Sequence, residues 1–163
     1  MPHADIRVDL NSRGATLRTI ARELRDMDDA KVTGLFRRRM EDAARPFPLR
    51  VRRAVLAIPV TGKKQTGLRA RIALCAGTAS WVRGRTASVA VEMNPRLMPP
   101  GEMSLPLMME GAKRWRHPVF GDRENWVTEP PHPYFQVPVQ PFGRAAGEAL
   151  KAALEDITRQ ING

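Results

Sequence analysis

The sequence predicts an α+β fold, in which a small antiparallel β-sheet is joined by a long N-terminal helix and a C-terminal helix, with a proline- and aromatic-rich extended arm between sheet and last helix. Three observations predict it. Apolar residues recur at three- and four-residue steps near both ends of the chain, two short alternating runs bounded by turn residues lie in the middle, and ten of the fourteen prolines fall between residues 95 and 141. The length of 163 residues suits one domain, 1–163, with a modest core of its own.

The first helix is read from Leu17, Ile20, Leu24 and Met27, followed by Leu35, Phe36, Met40 and Ala43, set in otherwise charged sequence. Asn11 or Ser12 is placed to cap its start, Gly34 loosens its middle, and Pro46 and Pro48 supply a stop, because the residue before a proline is pushed out of helical geometry. Leu49 to Ile58 is open to helix after a kink or to strand, with helix favoured. Pro59 to Gly67 is a loop by its proline and two glycines. Leu68–Ala76 and Thr86–Met93 then read as the strands of a hairpin, with Arg83-Gly84-Arg85 as the reversal and Trp81 near it. The segment 95–141 holds Trp115, Trp126, Tyr134 and Phe135, aromatic anchors that favour burial, so it is expected to be an ordered, irregular arm rather than a flexible linker, with Leu105–Gly111 as a helical turn or short strand. After Pro141-Phe142-Gly143, the stripe Ala146, Ala149, Leu150, Ala153, Leu154, Ile157 and Ile161 marks the closing helix.

The net charge of +10 is concentrated. Between Arg37 and Arg85, thirteen Lys and Arg face only Glu41 and Asp42, a surplus of eleven, while the rest of the chain, with fourteen basic and fifteen acidic side chains, is about neutral. Such asymmetry fits a face turned to nucleic acid, through phosphate contacts that release counterions, a face turned to an acidic protein, or a solvated surface. Nothing in it reads a base sequence. The N-terminus lacks the apolar stretch of a signal peptide, and no window reaches the roughly 18 apolar residues that span a bilayer, so no membrane partner is expected. A single cysteine, Cys75, forms no internal disulfide and fits a reducing cytoplasm.

No motif in the sequence calls for catalysis or a cofactor. His3, His117 and His132 lack neighbouring Cys or Asp at zinc-ligand spacing, so no metal is expected. Gly121 to Asn125 reads as a polar turn rather than an acidic catalytic cluster. Thr61-Gly62-Lys63-Lys64 lacks the upstream glycine and following Ser or Thr of a phosphate-binding loop, and no Gly-x-Ser-x-Gly elbow occurs. Cys75, in Ile72-Ala73-Leu74-Cys75-Ala76, has the apolar setting of a core residue and not of a nucleophile.

The blocks Glu110-Gly111, Arg116-His117-Pro118-Val119-Phe120-Gly121, Trp126-Val127-Thr128 and Pro133-Tyr134-Phe135 come in a distinctive order. They follow a basic N-terminal helix, Thr66-Gly67-Leu68-Arg69 and a hairpin, and precede a closing helix. In that order the chain resembles the tail-completion, or head-tail joining, family of lambda-like long-tailed bacteriophages. The resemblance implies an α+β virion protein without catalytic residues. It implies a homo-oligomeric ring, taken as a hexamer, at the head-proximal end of the tail, made in the host cytoplasm and built into the neck. Its partners would be the head connector or stopper protein, the tail terminator or tail tube protein, and packaged double-stranded DNA contacted nonspecifically in the lumen. Another neck component, a stopper or tail terminator, is the closest alternative, and a free-standing basic nucleic-acid-binding protein is the alternative from another class.

A closed ring needs a heterologous interface, one patch meeting a different patch on the neighbour. Trp115, Arg116, His117, Phe120, Trp126, Tyr134 and Phe135 are the candidate subunit-interface residues, because prolines limit the entropy lost on ordering an arm and large aromatics serve as anchors. They would equally serve to cover the subunit's own sheet. Arg37, Arg38, Arg39, Arg50, Arg52, Arg53, Lys63 and Lys64 are the candidate contacts to lumen DNA or to an acidic partner ring.

Overall fold

The computed structural model describes residues 3–9, 29–59, 67–83, 86–111, 113–119 and 122–162, with the backbone alone for 3–9, 29, 117–119, 122–123 and 160–162. In chain order its elements are β1 (His3–Asp9), α1 (Asp29–Ala44), α2 (Pro46–Ala57), α3 (Leu68–Leu74), β2 (Ala76–Arg83), β3 (Thr86–Met93), a 3-10 turn (Pro95–Leu97), α4 (Leu105–Glu110), β4 (Trp115–Val119), β5 (Asp122–Glu129), α5 (Gln136–Val139) and α6 (Phe142–Asn162). The fold is α+β with two small antiparallel sheets, one of order β1-β3-β2 and the other the hairpin β4-β5. The anticipated helix through Leu17–Met27, its caps at Asn11 or Ser12, residues 60–66 of the Pro59–Gly67 loop, and Gly84-Arg85 of the expected reversal lie outside the described residues.

Contacts divide the chain into two compact units. One comprises 4–46, 78–91 and 141–163. Its α1 buries Val32, Phe36, Met40 and Ala44, a strict four-residue stripe, and the pair α1 and α6 closes over Val32, Phe36, Ala153 and Ile157, with Leu35, Leu150 and Leu154 half-buried around them. Fully burying such side chains is worth about 1.5–3 kcal/mol each. On the rim of this pair Asp156 accepts hydrogen bonds from Arg39 of α1 and Arg159 of α6. Those bonds, Arg159 foremost, hold the Asp156 carboxyl below its ordinary value of 3.8. In the sheet, the central β3 is buried over five successive residues, Ala87 to Val91, whereas β2 alternates, as expected of a central strand covered on both faces and an edge strand with one wet face.

The other unit comprises 1–3, 47–77 and 92–140. α1 stops at Ala44, just before Pro46 as expected, and Pro46 itself opens α2, because proline is tolerated at the first helical position, where the missing N–H has no helical partner in any case. The buried stripe Phe47, Val51 and Val55 keeps the four-residue step. One prediction is corrected here. Leu68–Leu74 is helix and not strand, and the strand before the reversal is Ala76–Arg83, which places Trp81 inside it. Alternation over Leu68-Arg69-Ala70-Arg71-Ile72 mimicked a strand, but Leu, Arg and Ala are strong helix formers and Gly67, at φ 71°, starts the turn in a conformation that favours glycine. Cys75 is the C-cap of that helix, buried, its Sγ donating to the Arg71 carbonyl, and burial raises the thiol pKa above its ordinary 9.0.

Candidate functional site

The proline-rich segment is ordered, as expected, and Leu105–Glu110 is the helical turn anticipated there. Pro95 and Pro106 start a 3-10 turn and a short helix, and a buried carboxylate joins the two halves of the segment. Asn94 Oδ1 accepts the Arg96 N–H to cap the Pro95–Leu97 turn, and Pro106 sits in the first turn of α4. Glu110, the last residue of α4, is buried. Its Oε2 accepts the backbone N–H groups of Tyr134 at 2.6 Å and Phe135 at 2.8 Å, and its Oε1 accepts that of Gln136 at 3.2 Å. These are donors at the start of α5 that the short helix cannot satisfy itself, and a carboxylate there also meets the favourable end of the peptide dipoles. Around this latch the Tyr134 hydroxyl donates to the Pro106 carbonyl at 2.8 Å, and the His132 N–H donates to the Met109 carbonyl at 2.8 Å. Burial first, and the Glu110 charge second, push the Tyr134 pKa well above its ordinary 10.0. The Glu-Gly and Pro-Tyr-Phe blocks, 24 residues apart, are therefore one structural feature.

Between the halves of this latch runs the hairpin. Its antiparallel register pairs Trp115 with Glu129, Arg116 with Thr128, His117 with Val127 and Pro118 with Trp126, with an irregularity between Pro118 and Val119. Residues 122–125, expected as a turn, belong to β5. Side chains alternate across the ribbon: Arg116, Trp126 and Thr128 are exposed, whereas Trp115, Val127 and Glu129 are half-buried. On the exposed face the Arg116 guanidinium lies over the Trp126 ring at 5.6 Å, and Trp126 remains 48% exposed.

The candidate interface residues therefore separate. Tyr134 and Phe135 are core residues, 1% and 2% exposed, so they are corrected out of the set available to a neighbour: the latch turns both rings inward. Trp115, Arg116 and Trp126 sit on the hairpin, His117 is in β4 by its backbone, and Phe120 lies outside the described residues. The candidate basic contacts separate too. Arg37 faces Glu41 at 3.6 Å, Arg39 is bonded to Asp156, Arg50 lies over the Phe47 ring at 4.8 Å, and Arg52 donates to the Ala76 carbonyl at 2.9 Å. Arg38 and Arg53 are exposed and have no acidic partner among the described residues; Lys63 and Lys64 lie outside them. Two further arginines of the basic segment are structural. Arg69 donates to the Leu56 and Ile58 carbonyls at the end of α2, and Arg71 forms a two-pronged pair with Glu102, the closest contact 2.9 Å. In sequence Glu110 stands only as part of the Glu-Gly block and not as a site residue, although a lone acid at the end of the apolar run Leu105–Met109 is the signal by which it stands out.

Among the described residues no group of three or more His, Cys, Asp and Glu is placed to hold a metal ion, and no helix is long and apolar enough to cross a membrane. Comparison with family models, curated proteins and solved structures gave no match.

Proposed function

We propose that this chain is a structural subunit of the neck of a long-tailed bacteriophage, completing the tail and joining it to the head as a homo-oligomeric ring. The observation that carries the reading is the Glu110 latch. The two blocks most distinctive of the resemblance, Glu110-Gly111 and Pro133-Tyr134-Phe135, are in contact through it, and the third, the hairpin, stands between them with an exposed Arg-Trp pair. A rigid base bearing an exposed aromatic ribbon suits assembly, since little entropy remains to be lost on docking. The reading as a free-standing DNA-binding protein is less well supported, because Arg37, Arg39, Arg52, Arg69 and Arg71 are engaged within the chain.

The test is the composition of purified particles. Quantitative mass spectrometry is expected to find the chain in virions at one ring's worth of copies per particle, with labelled antibody at the head-tail junction; its absence from purified virions would sink the proposal.

A further inference from the structure

No acid stands between Asp42 and Glu92, and the helix near the start of that stretch, α2, carries Arg50, Arg52 and Arg53. One side of α2 is its core stripe, Phe47, Val51 and Val55. Opposite runs a second stripe, Leu49, Arg53 and Leu56, at the four- and three-residue steps that share one helix face. Both leucines lie at the centre of the solvent-facing side, 50% and 52% exposed, with the exposed Arg50 on one flank and the exposed Arg52 on the other. Among the described residues the partners of Arg50 and Arg52 are neutral, the Phe47 ring and the Ala76 carbonyl, and Arg53 has none. Three positive charges therefore surround two exposed leucines without an acid to balance them.

We propose that this face of α2 receives an acidic amphipathic helix of another protein. The stripe has the spacing of one side of a helix pair. Leu49 and Leu56 are seam residues seven apart, Arg53 lies in the seam between them, and Arg50 and Arg52 hold the flanking places from which charge selects a partner. A complementary helix sets apolar residues against the two leucines and Glu or Asp against the three arginines. Charge excludes a pair of α2 helices, because the arginines of two copies would face each other. It also disfavours α6 of a second copy, whose exposed Glu148 and Glu155 have the exposed Lys151 between them. Nucleic acid fits less well, since phosphates gain nothing from two leucines at the centre of the face. A lipid surface fits less well too, since seating those leucines among acyl chains would carry the Arg53 charge in with them. In biological setting the inference rests on the neck reading above, for which it names the kind of element that meets α2.

A designed peptide tests it. The probe is a fluorescent, alanine-based helical peptide with leucine at every seventh residue and glutamate around and between the leucines; its control has the same composition with the leucines moved off that stripe. In fluorescence anisotropy the full chain is expected to bind the probe, at least about tenfold more weakly at high salt, and not to bind the control. Leu49→Ala with Leu56→Ala is expected to weaken binding at least about tenfold with an unchanged thermal melt, because alanine is the best helix former and the core stripe is untouched. Arg53→Glu is expected to lose the probe and to bind a version with lysine between the leucines, a rescue that also shows the variant folds. No binding by the wild-type chain, equal binding of probe and control, or leucine substitutions without effect would overturn the proposal. Duplex DNA that displaces the probe and is bound equally by the leucine variant would assign the face to phosphate. Phosphatidylglycerol vesicles bound through the leucines, with the probe unbound, would assign it to a lipid surface. Either result overturns the proposal. If the probe is bound as described while the chain is absent from virions, the neck reading alone fails; if virions contain it and the probe is not bound, this inference alone fails.

Discussion

Glu110 shows how one side chain can fix a segment that composition describes only as proline-rich. Its carboxylate satisfies three successive backbone N–H groups inside the protein, and an unsatisfied buried donor costs about 1–3 kcal/mol. Glu110→Ala is therefore expected to destabilise by about 2–4 kcal/mol in urea unfolding, with Glu110→Gln milder because one acceptor oxygen remains. Tyr134 makes a second residue-scale prediction. Its folded pKa lies above the unfolded value of 10.0, so its contribution is fully present below pH 10 and is lost as the unfolded chain ionises above it. The alkaline fall in stability should flatten in Tyr134→Phe, measured by unfolding midpoints across pH 8 to 11. Cys75, buried and with a raised pKa, should react with a thiol reagent at neutral pH only at the rate of unfolding.

At the scale of elements, the pair α1 and α6 is held by its stripe. Phe36→Ala should cost about 3–5 kcal/mol, as truncating a buried aromatic does when the cavity collapses only partly. Asp156 adds a pH signature to the same pair. Its folded pKa is depressed, so the stabilisation is present above the ordinary carboxylate value and lost as pH falls through the folded one. Asp156→Asn should therefore lower the unfolding midpoint near neutrality and match the wild type at the acid end. These helices were legible because a four-residue apolar step survives in sequence whatever the tertiary setting. Leu68–Leu74 was not, since seven residues are too few to separate a period of two from one of 3.6 when arginines sit at alternate positions. The hairpin β4-β5 was hidden by Pro118 and by the polar run Asp122–Asn125, which resembles a turn until its partner strand is seen. Of the candidate site, the aromatics were legible as important but not as inward or outward, because that is decided by Glu110, far away in sequence from Tyr134.

For the whole molecule, the fate of the arginines matters most. A charge surplus of eleven over Arg37–Arg85 looks like a DNA-binding face, yet much of it caps helices, bridges to carbonyls or meets acids. Arg38 and Arg53 are the described members of the candidate set for which no acid, carbonyl or aromatic ring is a partner among the described residues. If they meet phosphates, each should contribute about one unit to the slope of DNA affinity against salt, and Arg38→Ala or Arg53→Ala should remove it. Arg39→Ala and Arg52→Ala should leave that slope unchanged and lower stability instead. An unchanged slope in the first pair rules out phosphate contacts at these two arginines. The proposed joining role itself is tested most directly by negative-stain microscopy of particles assembled with and without the chain. The account predicts filled heads beside separate tails in its absence, rescued when the protein is added back; joined, infectious virions in its absence would contradict it.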